Sequence, residues 1–168
     1  MRRVWVGVGA NMDEPAAKVR EAVARLASAP EFRTARVSSL YETAPWGKTD
    51  QAWFVNAVVE LETDAAPNAV LNRLFAIEQA MGRVRHERWG PRVIDLDYLL
   101  DESETSATDR LSLPHPEVEN RAFVLVPLAE LRPELVLPRG EAARDRAAAL
   151  AEEQPIRRLE AGTIAPWP

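Results

Sequence analysis

Asp95 and Asp97 stand two residues apart in the otherwise apolar stretch VIDLDYLL, residues 93–100. Aspartate is depleted in strands and costly to bury unpaired. Strand alternation puts both carboxylates on one face and Ile94, Leu96 and Tyr98 on the other. Their Cα atoms are then roughly 6.6 Å apart, and at an effective dielectric of about 20 two charges at that separation repel by about 2.5 kcal/mol. A divalent cation held by oxygen ligands relieves such repulsion. So do ion pairs with nearby arginines, or a solvated strand face.

The residues just upstream bear on that choice. Arg83, Arg85, Arg88 and Arg92 fall within one short segment, opposed locally only by Glu87. Carboxylates beside guanidinium groups suit a metal-bound polyphosphate, with the acids on the cation and the arginines on phosphate oxygens. Charge stabilisation of that kind is most of what phosphoryl transfer requires. A salt-bridge network across a loop is the plain alternative. Two nucleotide motifs fail. Gly47-Lys48-Thr49 has Glu42 where a P-loop needs its first glycine, and Gly7-Val8-Gly9 has Met12 where a dinucleotide fingerprint needs its third. His115 between two prolines is uninformative alone, and Trp89 and Phe123 suit either a core or a flat ring.

The elements that must carry these groups follow from pattern. Residues 3–8 read as a strand and 9–11 as a turn. Asp13 is a candidate N-cap with Pro15 in the first turn, and Val19, Val23 and Leu26 mark one helical face. Residues 36–41 and 54–61 read as strands separated by a loop rich in turn residues. Thr63 or Asp64 is expected to cap a helix whose buried stripe is Val70, Leu74, Ile77 and Met81, with Gly82 as its stop. The arginine loop precedes the strand at 93–100. A short strand at 111–115, a helix over 117–131 interrupted near Pro127, and a last helix over 142–152 complete the chain. Strand, helix, strand, strand, helix, strand predicts an α+β ferredoxin-like sandwich. Its sheet has about four antiparallel core strands, with helices on one face and long active-site loops.

Composition sets the frame. The chain has 168 residues, 46% apolar and 28% charged, with a formal net charge of −5 and no cysteine. Those values fit a globular domain and exclude disulfides and thiolate metal sites. Net acidity disfavours nucleic acid as a partner, and no run reaches the roughly 18 apolar residues of a membrane span. A cytoplasmic protein is expected.

The segments RWGPRVIDLDYLL (88–100) and LSLPHPEVENRAFVLVPLAEL (111–131) resemble the 6-hydroxymethyl-7,8-dihydropterin pyrophosphokinase family of folate biosynthesis. GANM, SSLYETAPWG, FVNAVVELET and IEQAMGRVRHERWGPR support the resemblance. It implies a monomeric transferase domain over 1–138, with 139–168 as an extension of it. It also implies transfer of pyrophosphate from ATP to 6-hydroxymethyl-7,8-dihydropterin with AMP leaving. By this similarity Asp95 and Asp97 bind two Mg²⁺ ions brought with ATP, and Asp97 helps remove the hydroxyl proton. Arg83 and Arg92 engage the phosphates and assist the chemistry. Glu78, Arg85, Trp89, Arg92, Arg110, Ser112, His115 and Arg121 match ATP-site positions. Thr43, Pro45, Trp46, Phe54, Asn56 and Phe123 match the pterin pocket. Departures from the family pattern are Ala10, Trp46, Phe54, Phe75 and an arginine loop one residue short. Two rivals share these features: a palm-type nucleotidyl transferase, and a non-catalytic ferredoxin-like binding module.

Overall fold

A computed structural model describes residues 1–45, 49–83 and 91–159. The chain starts in the long strand β1 (Arg2–Ala10), which pairs antiparallel with β4 (Phe54–Thr63) on one side and β5 (Asp95–Asp101) on the other. β2 (Arg33–Val37) and β3 (Tyr41–Thr43) follow each other along the far edge of β4, and β8 (Ile156–Arg158) pairs antiparallel with β3. The six-stranded sheet thus runs β5-β1-β4-β3-β8 with β2 alongside, leaving β5 at one edge. A separate hairpin joins β6 (Ser106–Ala107) to β7 (Ser112–Leu113).

Strand alternation divides the core in two. Val4, Val6, Val8 and Ala10 of β1, with Val55, Ala57, Val59 and Leu61 of β4, pack under α1 (Pro15–Ser28) and α2 (Pro67–Ala80). Trp5, Val58 and Leu99 point the other way. They pack with α3 (Ala122–Leu131) and α4 (Ala143–Glu153). The α+β ferredoxin-like class is as expected, but helices cover both faces, one expected strand is split into β2 and β3, and β8 widens the sheet. The apolar run from Ala122 to Leu131 gives no sign in sequence of which face it will cover.

Several local expectations are corrected. Gly9 and Ala10 are strand residues opposite Asn56 and Val55, not a turn. The expected single strand at 36–41 is broken at Ser38. Its backbone N–H donates to Val58 O (3.0 Å), while its hydroxyl accepts the Val58 N–H (2.9 Å), so one residue occupies both ladder positions. Neither helix N-terminus uses the expected cap. Asp13 and Glu14 lie in the left-handed region (φ 52° and 59°), and α1 starts at Pro15, whose fixed φ suits a first helical residue. α2 likewise starts at Pro67. The Thr63 hydroxyl instead accepts the Ala65 N–H (3.0 Å) and donates to Glu31 O (2.7 Å). α3 runs unbroken through Pro127, and residues 117–120 form turns before it. The C-terminal segment is integrated, α4 against α3 and β8 into the sheet.

Candidate active site

One end of the sheet face beneath α3 is left open, and glycine is part of the reason. Asp97 lies opposite Gly7 and Asp95 opposite Gly9 in the β1–β5 ladder, while Asn56 of β4 lies opposite Gly9 from the other side. Cross-strand partners share a face, so Asp95, Asp97, Asn56 and Phe54 all rise from a floor that has no side chain at positions 7 and 9. A Cβ at Gly9 would lie 2.4 Å from Asn56 Oδ1, so nothing larger fits without moving Asn56. A Cβ at Gly7 would meet Leu99 Cδ1 at 3.4 Å, an ordinary contact.

Two cavities flank β5. The first, about 280 Å³, is lined by Gly7, Gly9, Ala44, Phe54, Asn56, Arg92, Arg121 and Phe123, among others. The second, about 320 Å³, lies toward α2 and the β6–β7 hairpin, with Leu71, Phe75, Arg83, Arg110, Ser112 and His115 on its walls. Among the described residues, Asp95 and Asp97 alone line both. β5 lies at the sheet edge, with no further strand paired beyond it among the described residues, which allows its carboxylates to line one cavity while its outer edge borders the other.

The two cavities differ in chemistry. In the first, Phe54 and Phe123 supply aromatic faces, and buried Asn56 donates from Nδ2 to Thr43 Oγ1 (2.7 Å), which fixes its amide. The Arg121 guanidinium lies over the Phe123 ring at 5.4 Å. Arg92 is held by its backbone. Its N–H donates to Asn11 Oδ1 (2.9 Å), and Asn11 N–H donates to Arg92 O (3.0 Å). Asn11 Nδ2 reaches Gln51 Oε1 and Ala52 O, both 2.9 Å, so one side chain ties two loops together. In the second cavity, Arg110 lies 5.9 Å from the Phe75 ring centre and donates to Asn68 and Asn72 of α2. His115 accepts the Glu117 N–H at Nδ1 (3.1 Å), which leaves Nε2 to carry the proton as a donor. Burial first, and then Arg121, push its pKa down and keep it neutral.

Negative charge is concentrated at the divide. Glu78 is buried behind β5, accepts the Leu96 N–H (2.8 Å) and pairs with Arg83. Arg83 Nη1 also lies 3.0 Å from Asp95 Oδ1. Burial raises the Glu78 pKa, with Asp95 adding to the shift against the Leu96 N–H and Arg83. Asp97 is pushed up to about 8, by burial first and then by the neighbouring Asp95 charge, with Arg121 and Arg83 opposing. Glu78 and Asp97 therefore hold their charge unwillingly without a further cation. Hard oxygen donors of this kind fit Mg²⁺. No cluster of three metal-ligating side chains occurs among the described residues, so two aspartates would supply only part of a coordination shell. Phosphate oxygens and water complete such shells.

The structure brings most of the expected site residues together. Arg92, Asp95, Asp97, Phe54, Asn56, Arg121 and Phe123 surround the first cavity, with Thr43 beneath Asn56. Thr43 and Pro45 border a smaller cavity that shares Phe123 and Ala44 with the first. Arg83, Arg110, Ser112 and His115 surround the second, and Glu78 braces the divide from behind. Arg92 and Arg121, matched by resemblance to the ATP site, line the first cavity and not the second. Trp46, Arg85 and Trp89 lie outside the described residues. Pattern reasoning set Gly7 and Gly9 aside as a failed dinucleotide fingerprint and a turn, and missed the close approach that glycine inside a strand signals. It also passed over Asn11, whose partners are distant in sequence.

Comparison with known proteins gives a consistent result. A model of the family described as 7,8-dihydro-6-hydroxymethylpterin-pyrophosphokinase (HPPK) matches residues 5–133. The chain is 48% identical to a 2-amino-4-hydroxy-6-hydroxymethyldihydropteridine pyrophosphokinase of Methylorubrum extorquens, over 95% of this chain and 100% of that one. It is 46% identical to the Pseudomonas aeruginosa protein of the same name, over 83% and 86%. The fold is similar to a Plasmodium falciparum HPPK-DHPS crystal structure with pteroate at a TM-score of 0.70 and 17% identity. That match covers 90% of this chain but only 43% of the other, so the chain spans under half the length of that protein.

Proposed function

This chain belongs to the 7,8-dihydro-6-hydroxymethylpterin-pyrophosphokinase family, and we propose that it transfers pyrophosphate from ATP to 6-hydroxymethyl-7,8-dihydropterin in folate biosynthesis. The observation that carries this reading is the position of Asp95 and Asp97, shared by an aromatic cavity and an arginine-lined one. A pterin in the first and a triphosphate in the second would meet at those carboxylates.

The hydroxymethyl oxygen attacks the β-phosphorus of ATP. The bond from that phosphorus to the α-phosphate's bridging oxygen breaks, AMP departs with the bond's electrons, and the hydroxyl proton is lost. We assign that proton to the Asp97 carboxylate. Phe54 and Phe123 stack on the pterin ring, while Asn56, braced by Thr43, reads its polar edge. Pro45, with Trp46 by family resemblance, closes the ring's outer side. On the ATP side Arg110 and Ser112 bind the nucleotide, and neutral His115 donates to phosphate from Nε2. Arg85 and Trp89 join them by family resemblance. Arg83 and Arg92 meet the phosphates from the two sides of β5, and Arg121 counters charge from above Phe123. Glu78 holds Arg83 in register with Asp95. Asp95 and Asp97 would hold two Mg²⁺ ions, which supply charge neutralisation of the triphosphate and Lewis acidity at the hydroxyl. We take the enzyme to work as a cytoplasmic monomer with residues 1–138 as its domain and 139–168 as an extension of it. No described helix is long and apolar enough to cross a membrane.

The test is incubation with ATP, Mg²⁺ and 6-hydroxymethyl-7,8-dihydropterin. Equimolar AMP and pterin pyrophosphate are expected. Released inorganic pyrophosphate would instead indicate nucleotidyl transfer, and ligand binding without turnover a non-catalytic module.

A further inference from the structure

The match to the family model ends at residue 133, yet the chain beyond it reaches back to the smaller cavity that shares Ala44 and Phe123 with the first. Gln154 follows α4. Its Oε1 accepts the N–H of Ala122 (2.8 Å), the first residue of α3, and its Nε2 donates to Asn120 O (2.8 Å). Both bonds straddle Arg121. The side chain therefore takes up one of the N–H groups that a helix start leaves without an intrahelical partner. The N-cap residue, Arg121, makes no side-chain cap bond to α3.

What this fixes matters for the site. Arg121 and Phe123 are the α3 residues on either side of Ala122, and both line the first cavity. The next residue works on the opposite wall: Pro155 O accepts the Ala44 N–H (3.1 Å), and β8 then pairs with β3 through Thr43↔Ile156. Residues 154–156 thus tie the Phe123 wall to the Thr43–Pro45 wall.

We propose that Gln154 is a positioning residue for the pterin, acting by holding the start of α3 so that Phe123 keeps its place over the cavity. This rests on the pterin assignment made above. Only an amide performs the task, because one end must accept from Ala122 and the other donate to Asn120. A carboxylate of the same shape accepts from Ala122 but faces the Asn120 carbonyl with no hydrogen to offer.

The experiment compares wild-type protein with Gln154→Ala and Gln154→Glu, measuring kcat, KM for each substrate and thermal melting. A loosened stacking wall should raise KM for 6-hydroxymethyl-7,8-dihydropterin about tenfold, the effect of losing roughly one good hydrogen bond. KM for ATP and kcat should stay within about twofold to threefold. Gln154→Glu opens no cavity, so it carries the test alone if Gln154→Ala does not fold. Unchanged pterin KM in Gln154→Glu, or pterin and ATP KM rising together, would overturn the proposal and leave Gln154 a structural cap. Wild-type protein that made no pterin pyrophosphate would overturn the functional reading itself, and the proposal with it.

Discussion

Asn56 and Gly9 are register partners across β1 and β4, so close that a Cβ at position 9 would lie 2.4 Å from Asn56 Oδ1. The Asn56 amide, proposed to read the pterin, is therefore seated against bare backbone, held from its other end by Thr43. Gly9→Ala must push Asn56 off that seat. It should weaken pterin affinity by tenfold or more and leave the ATP side nearly unaffected. Gly7→Ala, whose Cβ has the side chain of Leu99 as its nearest neighbour at 3.4 Å, should disturb Asn56 and pterin affinity far less. Calorimetry of the two variants with each ligand checks the contrast.

Phe123 and Phe54 bring the aromatic faces of the first cavity, and each face contributes on the order of 1 kcal/mol beyond area burial. Phe123→Ala should weaken pterin binding about fivefold or more. ATP affinity should hold, because Phe123 is absent from the second cavity. ATP affinity lost with pterin affinity kept would reverse the assignment of the two cavities.

A stability prediction concerns Glu60, which is 0% exposed. It accepts two bonds from Arg132 (2.8 and 2.7 Å) and one from Trp5 Nε1 (2.9 Å). Burial raises its pKa, but the bonds from Arg132 and Trp5 outweigh burial and leave it below the usual carboxylate range. A carboxylate whose pKa is lower folded than unfolded contributes stability above the unfolded value, and that contribution is lost as pH falls through the folded one. Wild-type protein should thus lose stability as pH drops below the ordinary carboxylate range, and Glu60→Gln should flatten that part of the curve. Arg132→Ala leaves this buried charge with the Trp5 bond and Arg3 at 3.7 Å, and should cost about 2 kcal/mol. Urea melts across pH read both.

The readable part of the site was the part with local pattern. Period-two alternation put Asp95 and Asp97 on one face and Leu96 and Tyr98 in the core, and the structure agrees. The apolar stripe of α2 was equally plain, and it carries Glu78 to the back of β5. What was hidden depends on partners far along the chain. Ser38 breaks a strand by bonding to Val58, and Asn11 joins two loops through Arg92 and Ala52. Gln154 caps a helix that begins 32 residues earlier. None of these leaves a periodic trace. The second helical layer was hidden for another reason: α3 is apolar almost throughout, and its sequence alone does not say which sheet face it covers.

Asp95 and Asp97 are proposed as a metal-binding pair rather than a structural one. In metal-free protein, burial and the Asp95 charge already disfavour the charged form of Asp97. Asp97→Asn should therefore leave the melting temperature unchanged or raise it. The decisive measurement is turnover of this folded variant at saturating Mg²⁺, ATP and 6-hydroxymethyl-7,8-dihydropterin. Loss of about 4 kcal/mol of charge stabilisation predicts a fall of about a thousandfold, and near-normal turnover would contradict the claim.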